Sequence, residues 1–328
     1  MSAPAPGPAT ERAPHPDRSK ADHSPADHSP ADRAHPADPR AALPSPADLG
    51  SVDGSAPGGR SPVRTPAPKE SGGGTPADAL VLDGVRAVRG GRTVWAEGTL
   101  RVPTGAMVGV IGPNGAGKTT LFQLVLGLLP AAEGRIEVLG GPPRRGDRRI
   151  GYVPQNYRSA LSDAIRARDL VTLGLTGTRF GLRRTSAPDR QRVDDALCRV
   201  GATPFADQRM SRLSGGQQQR VAIAQAIVDD AELLLLDEPL ANLDLRHQQE
   251  VVALLGELRR ERRVTIMVVA HDLNPLLPIL TDAVYLLDGH PHHDPIDAVV
   301  NEQLLTHLYG TRVRVVRTPQ GDLFTRGG

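Results

Sequence analysis

Gly112-Pro113-Asn114-Gly115-Ala116-Gly117-Lys118-Thr119-Thr120 separates two apolar stretches and spells G-x-x-x-x-G-K-T from Gly112 to Thr119. Upstream, Met107-Val108-Gly109-Val110-Ile111 reads as a short buried strand. Downstream, Leu121-Phe122-Gln123-Leu124-Val125-Leu126 starts a helical pattern. Strand, glycine loop and helix form the context in which this spacing cradles phosphate. The glycines let successive N–H groups turn inward, beside the positive end of a helix dipole. Lys118 then reaches the β- and γ-phosphates, and the Thr119 hydroxyl joins a magnesium ion. This stretch predicts a nucleotide-binding α/β domain.

Composition sets the limits of that domain. Up to about Ala77 the chain is Pro, Ala, Asp, Ser, Gly and His, with no aromatic residue before Trp95 and with Ala21-Asp22-His23-Ser24-Pro25 repeated at 26–30. Such a segment buries too little apolar surface to offset its ordering entropy, so residues 1–78 are expected to be a disordered tail. The tail has neither the apolar core of a signal peptide nor the acid-poor look of a transit peptide. The folded domain is expected over 79–318, with a C-terminal tail at 319–328.

A formal charge of +2 among 328 residues gives no footprint for nucleic acid. The single cysteine, Cys198, excludes an internal disulfide and fits a reducing cytoplasm. No apolar run reaches the roughly 18 residues that cross a bilayer, so any membrane task needs a separate spanning polypeptide.

Other stretches must agree with the loop. Leu233-Leu234-Leu235-Leu236 reads as a central parallel strand that ends on Asp237-Glu238, with Pro239 stopping the ladder. At that strand end Asp237 can hold magnesium, and Glu238 can polarise a water in line with the γ-phosphate. Leu213-Ser214-Gly215-Gly216-Gln217-Gln218-Gln219-Arg220 precedes a helical run, which places Ser214-Gly215-Gly216 at a helix N-terminus as a second anion site. One nucleotide does not need two such sites in one chain. Two copies arranged head to tail do.

In this order, Gly112–Thr119, Gln155, Leu213–Arg220, Asp237-Glu238, Ala241-Asn242-Leu243-Asp244 and His271 resemble the Walker A, Q-loop, signature, Walker B, D-loop and H-loop of the ABC-type ATPase domains. The resemblance covers roughly Leu80 to Arg317. It implies a P-loop NTPase of ABC type: a mainly parallel central sheet, an antiparallel β subdomain, and a helical signature subdomain from about Gln155 to Val228. It implies ATP and Mg2+ as ligands. Gly112 through Thr120 would hold the phosphates, and Thr119, Gln155 and Asp237 the metal ion. Glu238 would be the general base, with His271 and Gln155 arranging the γ-phosphate and water. Ser214, Gly215, Gly216 and Gln217 would close on the partner copy's nucleotide, with Asp244 along the seam.

The family usually stacks adenine on an aromatic residue just before a glycine hairpin. Here Arg89 precedes Gly90-Gly91 and the nearest aromatic is Trp95, which leaves Arg89 and Trp95 as the two candidates. One copy of each motif and no long heptad run favour a separately encoded transporter subunit. Gly151-Tyr152-Val153-Pro154-Gln155, Ala222-Ile223-Ala224-Gln225-Ala226, and His271-Asp272-Leu273-Asn274-Pro275 resemble the subgroup serving bacterial zinc, manganese or iron importers. That resemblance implies transmembrane permease subunits, a second copy of the chain, an extracytoplasmic solute-binding protein, and a place on the inner face of the cell membrane. ABC ATPases for other solutes, or a non-hydrolytic nucleotide switch, are the alternatives. His290, His292 and His293 lie where the family has a polar β-turn, and with His15, His23, His28 and His35 of the tail they raise regulatory metal binding as a question.

Overall fold

The structure, a computed structural model, describes residues 78–155, 157, 164–177, 185–317 and 323–327. Residues 1–77 of the expected N-terminal tail, with its four histidines, lie outside the described residues. Strands β1 (Asp78–Arg89) and β2 (Arg92–Pro103) form a hairpin turning on Gly90 and Gly91, whose φ values of 58° and 75° are the left-handed pair a two-residue turn requires. Strand β3 (Met107–Ile111) leads through the glycine loop into helix α1 (Lys118–Val125), followed by strands β4 (Glu133–Val138) and β5 (Ile150–Val153). Helices α2 (Ala167–Thr176), α3 (Ala187–Arg199) and α4 (Gly215–Ile227) come next. Then follow β6 (Leu233–Asp237), α5 (Leu245–Arg262), β7 (Thr265–Val269), β8 (Asp282–Leu287) and β9 (His290–Pro295). Helices α6 (Ile296–Val299) and α7 (Glu302–Tyr309) and strands β10 (Val313–Arg317) and β11 (Leu323–Gly327) complete the chain.

Among the described residues these strands form three sheets. The central one runs β5-β6-β7-β3-β8-β9, parallel from β5 to β8 with β9 antiparallel at its edge; the order β2-β1-β4 forms the antiparallel subdomain, and β10 pairs with β11. Because side chains alternate across a sheet, the all-apolar strands feed two cores. Leu234, Leu236, Ile266 and Val268 pack with the helices α2 to α7 on one face. Leu233, Leu235, Met267 and Val269 pack with α1 and the antiparallel subdomain on the other. The fold expected from the motifs is therefore present, with its helical part in α2, α3 and α4.

Two boundaries shift. Strand β1 begins at Asp78, and β11 lies inside the stretch expected as a C-terminal tail. The β10 strand supplies the pairing for Leu323–Gly327, and Asn274 adds a clamp. Its side-chain oxygen accepts from the Thr325 N–H at 2.6 Å, and its amide donates to the Thr325 carbonyl at 2.9 Å.

The histidine run also differs from expectation. The turn is Asp288-Gly289, and His290–Pro295 is a strand paired with β8. Each histidine has a separate structural neighbour. His290 Nδ1 lies 3.0 Å from the Ala96 carbonyl, His292 stacks on Tyr285 at 5.0 Å, and His293 faces Asp282 at 3.5 Å. Among the described residues no group of three or more His, Cys, Asp or Glu is placed to hold a metal ion. No helix among them is long and apolar enough to cross a membrane.

Candidate nucleotide site

The C-terminal ends of four neighbouring parallel strands meet where an open α/β sheet places its ligands. From β3 comes the glycine loop, from β5 Gln155, from β6 Asp237 and Glu238, and from β7 His271. These groups line one cavity of about 360 Å³, together with Arg89, Val94, Asn114, Gly115, Gly117, Lys118, Thr119, Thr120 and Val269.

The loop shows why glycine is needed at one position in particular. Gly117 caps α1 with φ of 106°, and a Cβ there would lie 2.5 Å from Val94 Cγ1 and 2.8 Å from Trp95 Cδ1. Backbone conformation and space both exclude a side chain. Trp95 is therefore a floor beneath the phosphate loop: it is buried at 1% exposure, whereas Arg89 is exposed and lines the cavity. Of the two candidates for the adenine, only Arg89 faces the open space.

The charges are arranged to receive a phosphate. Lys118 Nζ donates to the carbonyls of Gly112 at 2.7 Å and Pro113 at 3.0 Å, so the ammonium is held inside the loop. Burial pushes its pKa below the ordinary lysine value, while Glu238 and Asp237 pull it back up. Asp237 is displaced upward, first by burial, then by the neighbouring Glu238 charge, with Lys118 opposing. Glu238 sits in the left-handed region at φ 55°, its N–H donating to the Val269 carbonyl at 2.9 Å. A non-glycine residue held there stores backbone strain at a residue that faces the cavity.

Ser214 caps α4 through a capping box, accepting from the Gln217 N–H while the Gln217 side chain accepts from the Ser214 N–H at 2.9 Å. Asp244 caps α5 with its side chain alone, accepting from the His247 N–H at 2.9 Å. None of Ser214, Gly215, Gly216, Gln217 or Asp244 is among the residues lining the Lys118 cavity, whereas Gln155, Asp237, Glu238 and His271 all are. Sequence reasoning did not single out Val94, Val269 or the pairing of Tyr157 with Gln225. Their contacts join residues far apart in sequence, so no local spacing marks them.

Fold and cavity together define a nucleotide-binding P-loop ATPase domain. The ABC transporter family profile matches residues 97–241. Zinc transport system ATP-binding protein TroB of Treponema pallidum (strain Nichols) is 36% identical over 224 residues, covering 68% of this chain and 84% of TroB. Manganese transport system ATP-binding protein MntB of Bacillus subtilis (strain 168) is 39% identical over 192 residues, 58% of this chain and 76% of MntB. Phosphonates import ATP-binding protein PhnC of Stutzerimonas stutzeri is 38% identical, with 64% of this chain and 82% of PhnC covered. Among solved structures, a metal-chelate type ABC transporter in an inward-facing conformation superposes with a TM-score of 0.67 at 27% identity, covering 77% of this chain and 97% of that one. The chain belongs to the ABC transporter ATP-binding family, and it is an ATPase that binds ATP.

Proposed function

We propose that two copies of this chain bind head to tail around two ATP molecules and hydrolyse them to drive a membrane transporter for zinc, manganese or iron. The observation that carries the reading is the division of the anion-binding groups: the Lys118 cavity gathers four loops, while Ser214-Gly215-Gly216 lies outside it at its own helix N-terminus. A second copy supplies the missing wall. TroB and MntB, zinc and manganese transport system ATP-binding proteins, support the metal-ion assignment, and transmembrane permease subunits would carry the solute, with this subunit peripheral on the cytoplasmic face.

A hydroxyl, an amide oxygen and a carboxylate, from Thr119, Gln155 and Asp237, are the hard oxygen donors that suit Mg2+. When bound, the ion neutralises charge developing on the β- and γ-phosphate oxygens. Lys118 releases its loop carbonyls to meet the same oxygens, and the loop N–H groups orient the chain of phosphates. Glu238 accepts the proton of the attacking water, and His271 holds that water and the γ-phosphate in line.

Complementation between chains tests the arrangement. Lys118→Ala and Ser214→Arg homodimers each carry two broken pockets, whereas a mixed dimer carries one intact pocket and one doubly broken. ATP-driven dimerisation at low magnesium should be restored on mixing, and a mixture no better than either variant alone rejects the head-to-tail site. For the solute, ATP turnover of the transporter reconstituted with its solute-binding protein should respond to zinc, manganese or iron and not to a phosphonate.

A further inference from the structure

Ser214–Gly216 and Asp244 are separate in sequence yet share a neighbour. The His247 ring, on the first turn of α5, has Nδ1 at 2.7 Å from Asp244 Oδ2. Its other edge fills the space where Gly216 has no side chain: a Cβ on Gly216 would lie 2.3 Å from His247 Cδ2 and 2.8 Å from its Cγ. The imidazole is therefore clamped between the carboxylate that caps α5 and the first turn of α4. A second tie lies further along the same helix pair, where Arg220 of α4 meets Glu250 of α5 at 3.2 Å. The loops leading into the two helices are closed as well. Gln218 donates to the carbonyls of Met210 and Leu213, and Gln248 donates to the Leu243 carbonyl.

We infer that His247 is a positioning residue: it fixes the spacing between Asp244 and the Ser214–Gly216 turn, so that both meet the partner copy's nucleotide as one rigid unit. This inference rests on the head-to-tail reading. The physical argument is that two groups that must engage one ligand together lose effective concentration when either drifts, and displacement by about 1 Å can cost on the order of a hundredfold. Gly216 is buried and cannot lock its own position with a side chain, so its place is set by what packs on it. His247 supplies that packing and, through Nδ1, ties it to Asp244.

The 328-residue chain carrying Glu238→Gln is the background, with ATP as the probe. In it, His247→Ala should leave monomer ATP affinity nearly unchanged, since Lys118 and its loop lie in a separate cavity. ATP-driven dimerisation should weaken on the order of tenfold or more. His247→Asn keeps a donor near the Nδ1 position but leaves the face of Gly216 uncovered, and it should recover part of the loss. In the Glu238-intact chain, His247→Ala should lower kcat with little change in monomer ATP affinity. Unchanged dimerisation in His247→Ala overturns the inference, and so does a loss that merely tracks melting temperature and ATP affinity. If the Glu238→Gln parent itself fails to dimerise with ATP, the head-to-tail reading falls first, which separates the two failures.

Discussion

The Tyr157 hydroxyl donates to Gln225 Oε1 at 3.0 Å, joining the segment two residues past Gln155 to the last turn of α4, which Ser214 caps and whose first turn carries Gly216. Both residues line a groove of about 380 Å³ with Tyr152, Pro154 and Gly174. Burial pushes the Tyr157 phenol well above its ordinary pKa, so it remains a donor at any physiological pH. The bond links a cavity-lining residue to the helix that presents the second anion site.

Tyr157→Phe removes that donor and leaves the Gln225 oxygen without its partner. It should cost about 0.5–1.5 kcal/mol in denaturant unfolding. Monomer ATP affinity should stay the same, because Tyr157 does not line the Lys118 cavity. A stability change near zero would mean that water replaces the hydroxyl at no cost.

Glu238→Gln tests the chemical step. The amide keeps the size of the side chain and removes its basicity, so ATP should still bind while turnover falls by about 10²–10⁴-fold. The ATP-bound dimer should then persist long enough to elute at doubled mass. Near-normal steady-state hydrolysis would remove Glu238 from the role of general base.

Arg89 is the side chain at the mouth of the cavity that can stack on a base. Arg89→Ala should weaken ATP binding several-fold, whereas Arg89→Tyr should hold or improve it, with GTP following ATP because every base presents a π-face. Isothermal titration of both variants with ATP and GTP decides. Equal affinities across all three chains would place Arg89 in solvent.

Much of this site was legible because its signals are local. The glycine spacing, the flanking apolar strand and the paired carboxylates after Leu233–Leu236 each occupy a few consecutive residues, and the sheet only had to bring their strand ends together. The contact of His247 with Gly216 could not be read in this manner, since it depends on how α4 and α5 pack. Nor could the fate of Trp95, where the burial of one face of β2 beneath the loop is a tertiary fact. The strand His290–Pro295 has no apolar alternation of its own. It forms because β8 offers a ladder, and an edge position tolerates Pro291.

Asp237 supplies the last test, through the stability of the protein without ligand. Burial and the neighbouring Glu238 raise its pKa in the folded chain above the ordinary 3.8, so the folded state binds this proton more tightly than the unfolded chain does. The sign follows: the stabilising contribution is complete below the unfolded value and is lost as pH rises through the raised folded value. At pH 7 the ionised carboxylate is thus a cost, which nucleotide and metal ion would relieve. Asp237→Asn removes that cost and should stabilise the free protein by about 0.5–2 kcal/mol at pH 7, the range of a relieved functional-site strain. At roughly 2–4 °C per kcal/mol this is a readable shift in melting temperature. The gap between variant and parent should close as pH falls through the raised folded value, where the parent's own carboxyl takes up its proton. Adding ATP with magnesium should reverse the order, because the parent gains a bound ligand and the variant has lost a donor for it. A variant less stable than the parent at pH 7 without ligand would show that Asp237 is held mainly by favourable contacts, and that the cavity is not charged in advance for its ligand.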